Sequence, residues 1–289
     1  MLNIYQFEGE EKGEHVLILG AIHGDEVCGP MAITKVIERF VNKTLVLQRG
    51  KVTFVPVCNP SAYTQNIRYV DRNLNRFMTP IDEPKVYEDS LTNVICPLLE
   101  SADVLLDIHS YHVGGAPFIF IEQPNGKEVP YAQCLGVSHM VYGFQNAYVN
   151  ADGAVSEDAL KEGMGTTEYL RQFGGYGVTL ECGQHNDLES IVVAERAIEN
   201  TFQYFNMLDG DALKNHTSQI IEIQKVYYNE ENAEFCEEWC NFQSVPKGTK
   251  IARYSGGEVV SVQEDSYIVL PRKDAPVDEE WFYIGRSVA

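Results

Sequence analysis

The chain has 289 residues, 44% of them hydrophobic, enough for a large domain with a small one attached and too apolar for global disorder. A formal net charge of -20 excludes nucleic acid and an anionic membrane surface as partners. It leaves an anionic small molecule allowed, because a local arginine cluster overrides the average field. In chain order, the first signal is the apolar run Val16-Leu17-Ile18-Leu19-Gly20-Ala21, which predicts a buried strand. Val27, Met31, Val36, Ile37 and Phe40 follow at helical spacing. Between them lies Ile22-His23-Gly24-Asp25-Glu26, an imidazole and a carboxylate placed where a strand hands over to a helix. Gly24 allows a tight turn, and His with Glu suits a divalent metal such as zinc. On a blander reading His23 caps the turn and Glu26 favours the helix N-terminus.

Leu45-Val46-Leu47 and Val52 to Val57 read as two strands joined by a hairpin-like turn at Gln48-Arg49-Gly50. From Asn59 to Pro84 no periodicity is sustained, and a loop this long inside a compact domain is usually functional. Arg68, Arg72, Asn75 and Arg76 crowd into it. Guanidinium groups fork onto carboxylates, so this loop suits a carboxylate-binding wall; solvent-facing charge is the alternative. A helix is predicted over Val86 to Leu99, a buried strand over Val104 to His109, and another strand over Pro117 to Ile121. Val129 to Met140 suggests a helix, Thr166 to Phe173 a shorter one, Gly177 to Glu181 a strand, and Leu188 to Phe205 a long amphipathic helix.

Strands alternating with helices predict an α/β domain with a mixed, mostly parallel sheet flanked by helices. Ligand sites in such sheets lie beyond the carboxyl ends of the strands, and His23, His109 and Glu181 all fall at or just past such an end. The composition changes near Met207 to His216, and Asp209-Gly210-Asp211 reads as a linker. Short strand-like pieces follow at 220–228, 250–254, 259–262 and 267–270. The division expected is therefore a catalytic α/β domain over 1–208 and a small all-β domain over 209–289.

Five of the seven cysteines, Cys28, Cys58, Cys96, Cys134 and Cys182, read as small core residues in a reducing compartment. Cys236 and Cys240 could clip together or hold a metal, with His216 the one further candidate ligand. The N-terminus lacks the basic start and apolar core of a signal peptide, and no apolar run approaches membrane-spanning length. A cytoplasmic protein is expected.

A catalytic zinc site takes three protein ligands and keeps a fourth position for water, and His23, Glu26 and His109 supply the right chemical set. Asp107 lies two residues before His109 on the same strand face, so it could orient that imidazole. Glu181 is the candidate base.

At this point the chain resembles the succinylglutamate desuccinylase/aspartoacylase family, relatives of zinc carboxypeptidases. The residues that carry the resemblance are Gly20 to Glu26, Asn59-Pro60-Ser61-Ala62, Arg68 to Arg76, Asp107-Ile108-His109 and Gly177 to Gly183. It implies one zinc per chain held by His23, Glu26 and His109, with Glu181 as general base and proton shuttle. It implies Arg68 as the carbonyl-polarising group, with Asn75 and Arg76 holding a substrate carboxylate. Arg171 stands at the spacing of another substrate-binding arginine. Departures are Asp25, where the family commonly has asparagine, and Tyr111 to Gly115, which differ from aspartoacylase. Tyr283 is the candidate counterpart of the aspartoacylase substrate tyrosine.

The reading is a zinc-dependent hydrolase of N-acyl amino acids, acting on a small anionic substrate. A metallocarboxypeptidase cleaving a short peptide would use the same residues. A non-catalytic metal- or ligand-binding protein would need neither Glu181 nor Arg68. The acyl group and the formation of a homo-oligomer stay open.

Overall fold

A computed structural model describes residues 1–149, 164–209 and 218–288. Among the described residues the main sheet has eleven strands. The first part comprises β1 (Tyr5–Glu8), β2 (Glu11–Gly20), β3 (Arg49–Val55), β4 (Val104–Tyr111), β5 (Phe118–Phe120), β6 (His139–Tyr142) and β7 (Tyr176–Gln184). Of the strands that follow, β8 (Gln219–Tyr228), β10 (Gln243–Val245), β13 (Ser266–Val269) and β14 (Glu280–Val288) extend the same sheet, in the order β1-β3-β2-β4-β7-β5-β6-β8-β14-β13-β10. The remaining strands, β9 (Glu234–Phe235), β11 (Lys250–Arg253) and β12 (Val259–Ser261), form a separate three-stranded sheet. β3, β2, β4 and β7 run parallel, and β5 reverses direction against β7. The sheet is mixed, as expected, and β8 joins it by parallel pairing with β6.

The alternation of side chains along β2, β4 and β7 divides the core into two layers. Val16, Ile18, Val104, Leu106, Ile108, Val178 and Leu180 face one side with helices α1 (Cys28–Val41) and the long helix Leu188–Tyr204. Leu17, Leu19 and Leu105 face the other, against the helices Tyr87–Glu100 and Thr166–Gln172. Asp107, His109 and Glu181 continue the second set by the same alternation. The polar groups therefore take over where that apolar layer ends.

Two local expectations fail for identifiable reasons. Leu45 to Leu47 is not a strand: β3 starts at Arg49 and is already flanked by β2 and β1, so no hairpin partner is needed. The helix expected over Val129 to Met140 stops at Cys134, and Gly136 adopts a φ of 85°. The chain then enters β6, whose apolar residues pair with β5 and β8. The Asp209-Gly210-Asp211 linker and His216 fall outside the described residues, apart from Asp209. All seven cysteines are unbridged, with Cys236 and Cys240 exposed. Among the described residues no helix is long and apolar enough to cross a membrane.

Candidate metal centre and active site

The carboxyl end of β2 leads into the ligand turn through Ala21, whose φ of 45° is left-handed and unusual for alanine. Two backbone bonds hold this turn: Cys58 N–H donates to Gly20 O at 2.9 Å and Asn59 N–H to Ala21 O at 3.0 Å. Gly24 is required for a close approach rather than for its dihedral angles. A Cβ there would lie 2.1 Å from the backbone carbon of Ala62, and Gly24 N–H donates to Arg68 O at 3.1 Å. The absence of a side chain thus lets the arginine loop lie against the ligand turn.

His23, Glu26 and His109 are all buried, and one ligand atom from each lies within 4.8 Å of the others. Glu26 Oε1 is 2.8 Å from His23 Nδ1, and Glu26 Oε2 is 2.9 Å from His109 Nδ1. Both imidazoles turn their Nδ1 atoms inward and are held at the other nitrogen. His23 Nε2 is 3.0 Å from Asn73 Oδ1, and His109 Nε2 is 3.1 Å from Asp107 Oδ2. The Asp107–His109 contact is close but poorly aligned for a hydrogen bond, so it acts chiefly as a charge contact. Asp107 is fixed in turn by Thr166, whose hydroxyl donates to its Oδ2 at 2.6 Å.

The electrostatics fit a site built for a cation. Burial, reinforced by Arg68, pushes the His23 imidazolium down to about 4 and leaves the ring neutral. Burial also opposes charge on His109, but Asp107 and Glu26 outweigh it and hold its pKa well above the ordinary value. Burial likewise opposes charge on Glu26, and His109 and His23 reverse that balance, holding it well below the carboxylate range. With a carboxylate on each side, His109 carries the positive charge that a bound ion would replace. Two nitrogens and a carboxylate with their opposite faces anchored match the donor set and outer contacts of a three-ligand zinc site.

Glu181 pairs in register with His109 across the parallel strands β4 and β7, so both side chains leave the same face. Its Oε2 is buried without a hydrogen-bond partner. Burial, then the neighbouring Glu26, raises its carboxyl pKa to about 8, with His109 and Arg68 opposing. Arg68 Nη1 lies 3.3 Å from Glu26 Oε1 while its side chain keeps 38% exposure, so it reaches from solvent to the ligand group.

The rest of the arginine loop is held by a residue outside the sequence reading. Glu88 is fully buried and accepts backbone N–H groups from Val70 at 2.8 Å, Asp71 at 3.1 Å and Arg72 at 3.3 Å. It also accepts the Asn59 amide at 3.1 Å. Arg72 pairs with Asp89 and lies over the Phe77 ring at 4.6 Å, which makes it a brace for the loop. Asn75 Oδ1 accepts Thr166 N–H at 3.0 Å, and Arg76 Nη1 donates to Asn75 O at 3.2 Å. Arg171 is paired with Glu122 at 3.3 Å and Glu168 at 3.4 Å. Tyr283 is buried in an apolar cluster with Phe118, Val141, Ile221 and Val269.

Asn73, Thr166 and Glu88 were not singled out from sequence, nor were Ser110 and His185. Ser110 N–H donates to Glu26 Oε2 at 3.1 Å, and its hydroxyl is 2.7 Å from His185 Nδ1. Burial lowers the pKa of both His185 and His112, leaving two neutral rings beside the ligand group. A sequence signal existed for Asn73 and Ser110, which flank named site residues. For Glu88 and Thr166, each in the first turn of a helix, there was none beyond helix-start composition.

Fold and site together define an α/β protein whose strand ends bring together a His–Glu–His group with the chemistry to hold a divalent metal. The chain belongs to the succinylglutamate desuccinylase/aspartoacylase family, whose catalytic-domain model matches residues 12–205. It is 26% identical over 216 residues to an N-alpha-acetyl-L-2,4-diaminobutyric acid deacetylase of Halomonas elongata, covering 69% of this chain and 57% of that protein. It is 30% identical over 102 residues to a probable aspartoacylase of Prochlorococcus marinus, covering 33% of this chain and 32% of that protein. The chain therefore spans less than two thirds of the length of these curated relatives. Its fold matches a solved succinylglutamate desuccinylase/aspartoacylase from Rhodobacter sphaeroides with a TM-score of 0.75 at 16% identity, over 99% of this chain and 90% of that one.

Proposed function

We propose that the protein is a zinc-dependent hydrolase that removes the acyl group from a small anionic N-acyl amino acid, with one catalytic zinc per chain. The observation that carries this reading is the placement of Glu181, buried and in register with His109, beside a complete three-ligand group. A protein that merely stores metal has no use for a buried fourth carboxylate whose Oε2 is unpaired. His23, Glu26 and His109 would hold the zinc, which as a Lewis acid favours ionisation of water and polarises a carbonyl.

This chain's own residues supply the remaining chemistry. Glu181 takes a proton from the attacking water and returns it to the leaving nitrogen, so the acyl C–N bond is exchanged for a C–O bond. A carboxyl held at about 8 in the metal-free site keeps a proton readily, and a nearby cation lowers that value toward neutrality. Arg68 stabilises the negative charge that develops on the carbonyl oxygen. Asn75 and Arg76 receive the substrate carboxylate, with Thr166 fixing the amide of Asn75. Arg171 takes a supporting place near the rim, because Glu122 and Glu168 already engage its guanidinium. The relatives named for acetyl-diaminobutyrate deacetylation and for aspartoacylase activity support amide hydrolysis of this kind. In this reading residues 1–208 form the catalytic part, 209–289 an accessory β part, and the enzyme works in the cytoplasm.

Glu181→Gln tests the assignment. It keeps size and removes the base, so turnover should fall by at least about a hundredfold with zinc content unchanged. Near-normal turnover would remove Glu181 from the mechanism, and loss of zinc would make it a ligand.

A further inference from the structure

Beside the His23, Glu26 and His109 group stands a second cluster with the same donor chemistry. One ligand atom each from Asp25, His112 and His185 lies within 4.8 Å of the others. The elements that build the first group also deliver these three. Asp25 immediately precedes Glu26, His112 follows the end of β4, and His185 follows the end of β7. A backbone bond from His185 N–H to Tyr111 O at 3.0 Å ties the two strand ends together.

Two atoms of the cluster lack the partners that buried polar atoms normally have. His185 is 8% exposed, and its Nε2 is buried with no hydrogen-bond partner. Its other ring nitrogen, Nδ1, is fixed 2.7 Å from the Ser110 hydroxyl. An imidazole anchored at one nitrogen and unpaired at the other has the arrangement typical of a metal-ligating histidine. Asp25 Oδ1 is likewise buried and unpartnered. The His112 and His185 rings meet edge to face, with centroids 4.3 Å apart and planes at 83°.

We propose that Asp25, His112 and His185 form a second divalent-cation site, suited to zinc, cobalt(II) or manganese(II), next to the centre built on His23. Two imidazoles and one carboxylate repeat the donor set of that centre, while His112 is exposed, so this ion exchanges with solvent more readily. Arg68 and Arg272 bring positive charge to the same neighbourhood, so direct ligation rather than the general field must hold the ion. Open positions on such an ion would accept a carboxylate oxygen of an anionic substrate. The site goes beyond the function proposed above and shares none of its three zinc ligands.

Metal counting separates the two claims. Wild type, His23→Ala, His112→Ala and the double variant are dialysed against the same zinc buffer, checked for folding by circular dichroism, and analysed by plasma mass spectrometry. His112 is exposed, so its truncation leaves the core untouched. The expected contents are about two ions per chain in wild type, about one in each single variant, and none in the double. Equal contents in wild type and His112→Ala overturn the second site and leave the first standing. A count that drops in His112→Ala but not in His23→Ala supports the second site and removes the first. Cobalt(II) titration gives an independent reading: two successive absorption components in wild type and one in His112→Ala are expected. A single component in both overturns the proposal.

Discussion

Replacing Glu181 with glutamine should remove the part of the pH-dependent loss of stability in the metal-free protein that arises from this carboxyl. The folded carboxyl titrates at about 8 against an ordinary value of 4.5, chiefly because it is buried. Between those values the folded state keeps a proton that the unfolded chain has released. The native state therefore binds more protons, and stability falls as pH rises through this window. Below 4.5 the group contributes nothing, and above about 8 the whole penalty is present. At about 1.4 kcal/mol per pH unit, the interval corresponds to a penalty on the order of 5 kcal/mol. Glutamine cannot ionise and escapes it. The assay is urea unfolding of chelator-treated wild type and Glu181→Gln at several pH values between about 5 and about 9. The stability of wild type relative to the variant should decline across that range by several kcal/mol. Parallel curves would show that Glu181 ionises at its ordinary value and is not a buried acid held ready for proton transfer.

Glu88→Gln keeps the shape of the loop anchor and removes its charge, so it should cost about 1–3 kcal/mol of stability by denaturant titration. It should also weaken substrate affinity, since the backbone of Val70 to Arg72 hangs on that carboxylate. Gly24→Ala would force a methyl group into the Ala62 backbone and should lower zinc retention during dialysis; full retention would show that the loop can retreat at little cost. Arg76→Ala should lower kcat/KM by about a hundredfold on a free-acid substrate and far less on its α-amide. Equal losses on both would make Arg76 a loop brace instead of a carboxylate receptor.

The architecture could be read from sequence where it depends on repetition. β2 and β4 carry the apolar runs Val16–Leu19 and Val104–Leu106, and the helices packed on them carry regular apolar faces. The rule that ligands gather beyond the carboxyl ends of parallel strands then directs attention to His23, His109 and Glu181; His23 and His109 come together with Glu26, and Glu181 pairs in register with His109 on the next strand. What escaped reading depends on the path of irregular chain. Asn73 reaches His23 across fifty residues, and Thr166 reaches Asp107 across fifty-nine. Neither contact has a periodic signature. Gly24 illustrates a subtler gap: the sequence suggests a tight turn, whereas the structure requires the glycine for contact with Ala62. Short segments were ambiguous for a related reason, since the apolar residues of 135–140 fit a helix until the neighbouring strands β5 and β8 are known.

The most direct test is hydrolysis by the purified protein, measured with and without its metal, on matched substrates. A panel of N-acyl amino acids and dipeptides sharing the same C-terminal residue would be incubated with untreated, chelated and zinc-restored protein. Released carboxylic acid and amino acid would be quantified separately. Acyl release should occur from N-acyl amino acids, vanish on chelation, return with zinc, and greatly exceed dipeptide cleavage. Deacylation indifferent to chelation, or cleavage confined to dipeptides, would contradict a zinc-dependent deacylase.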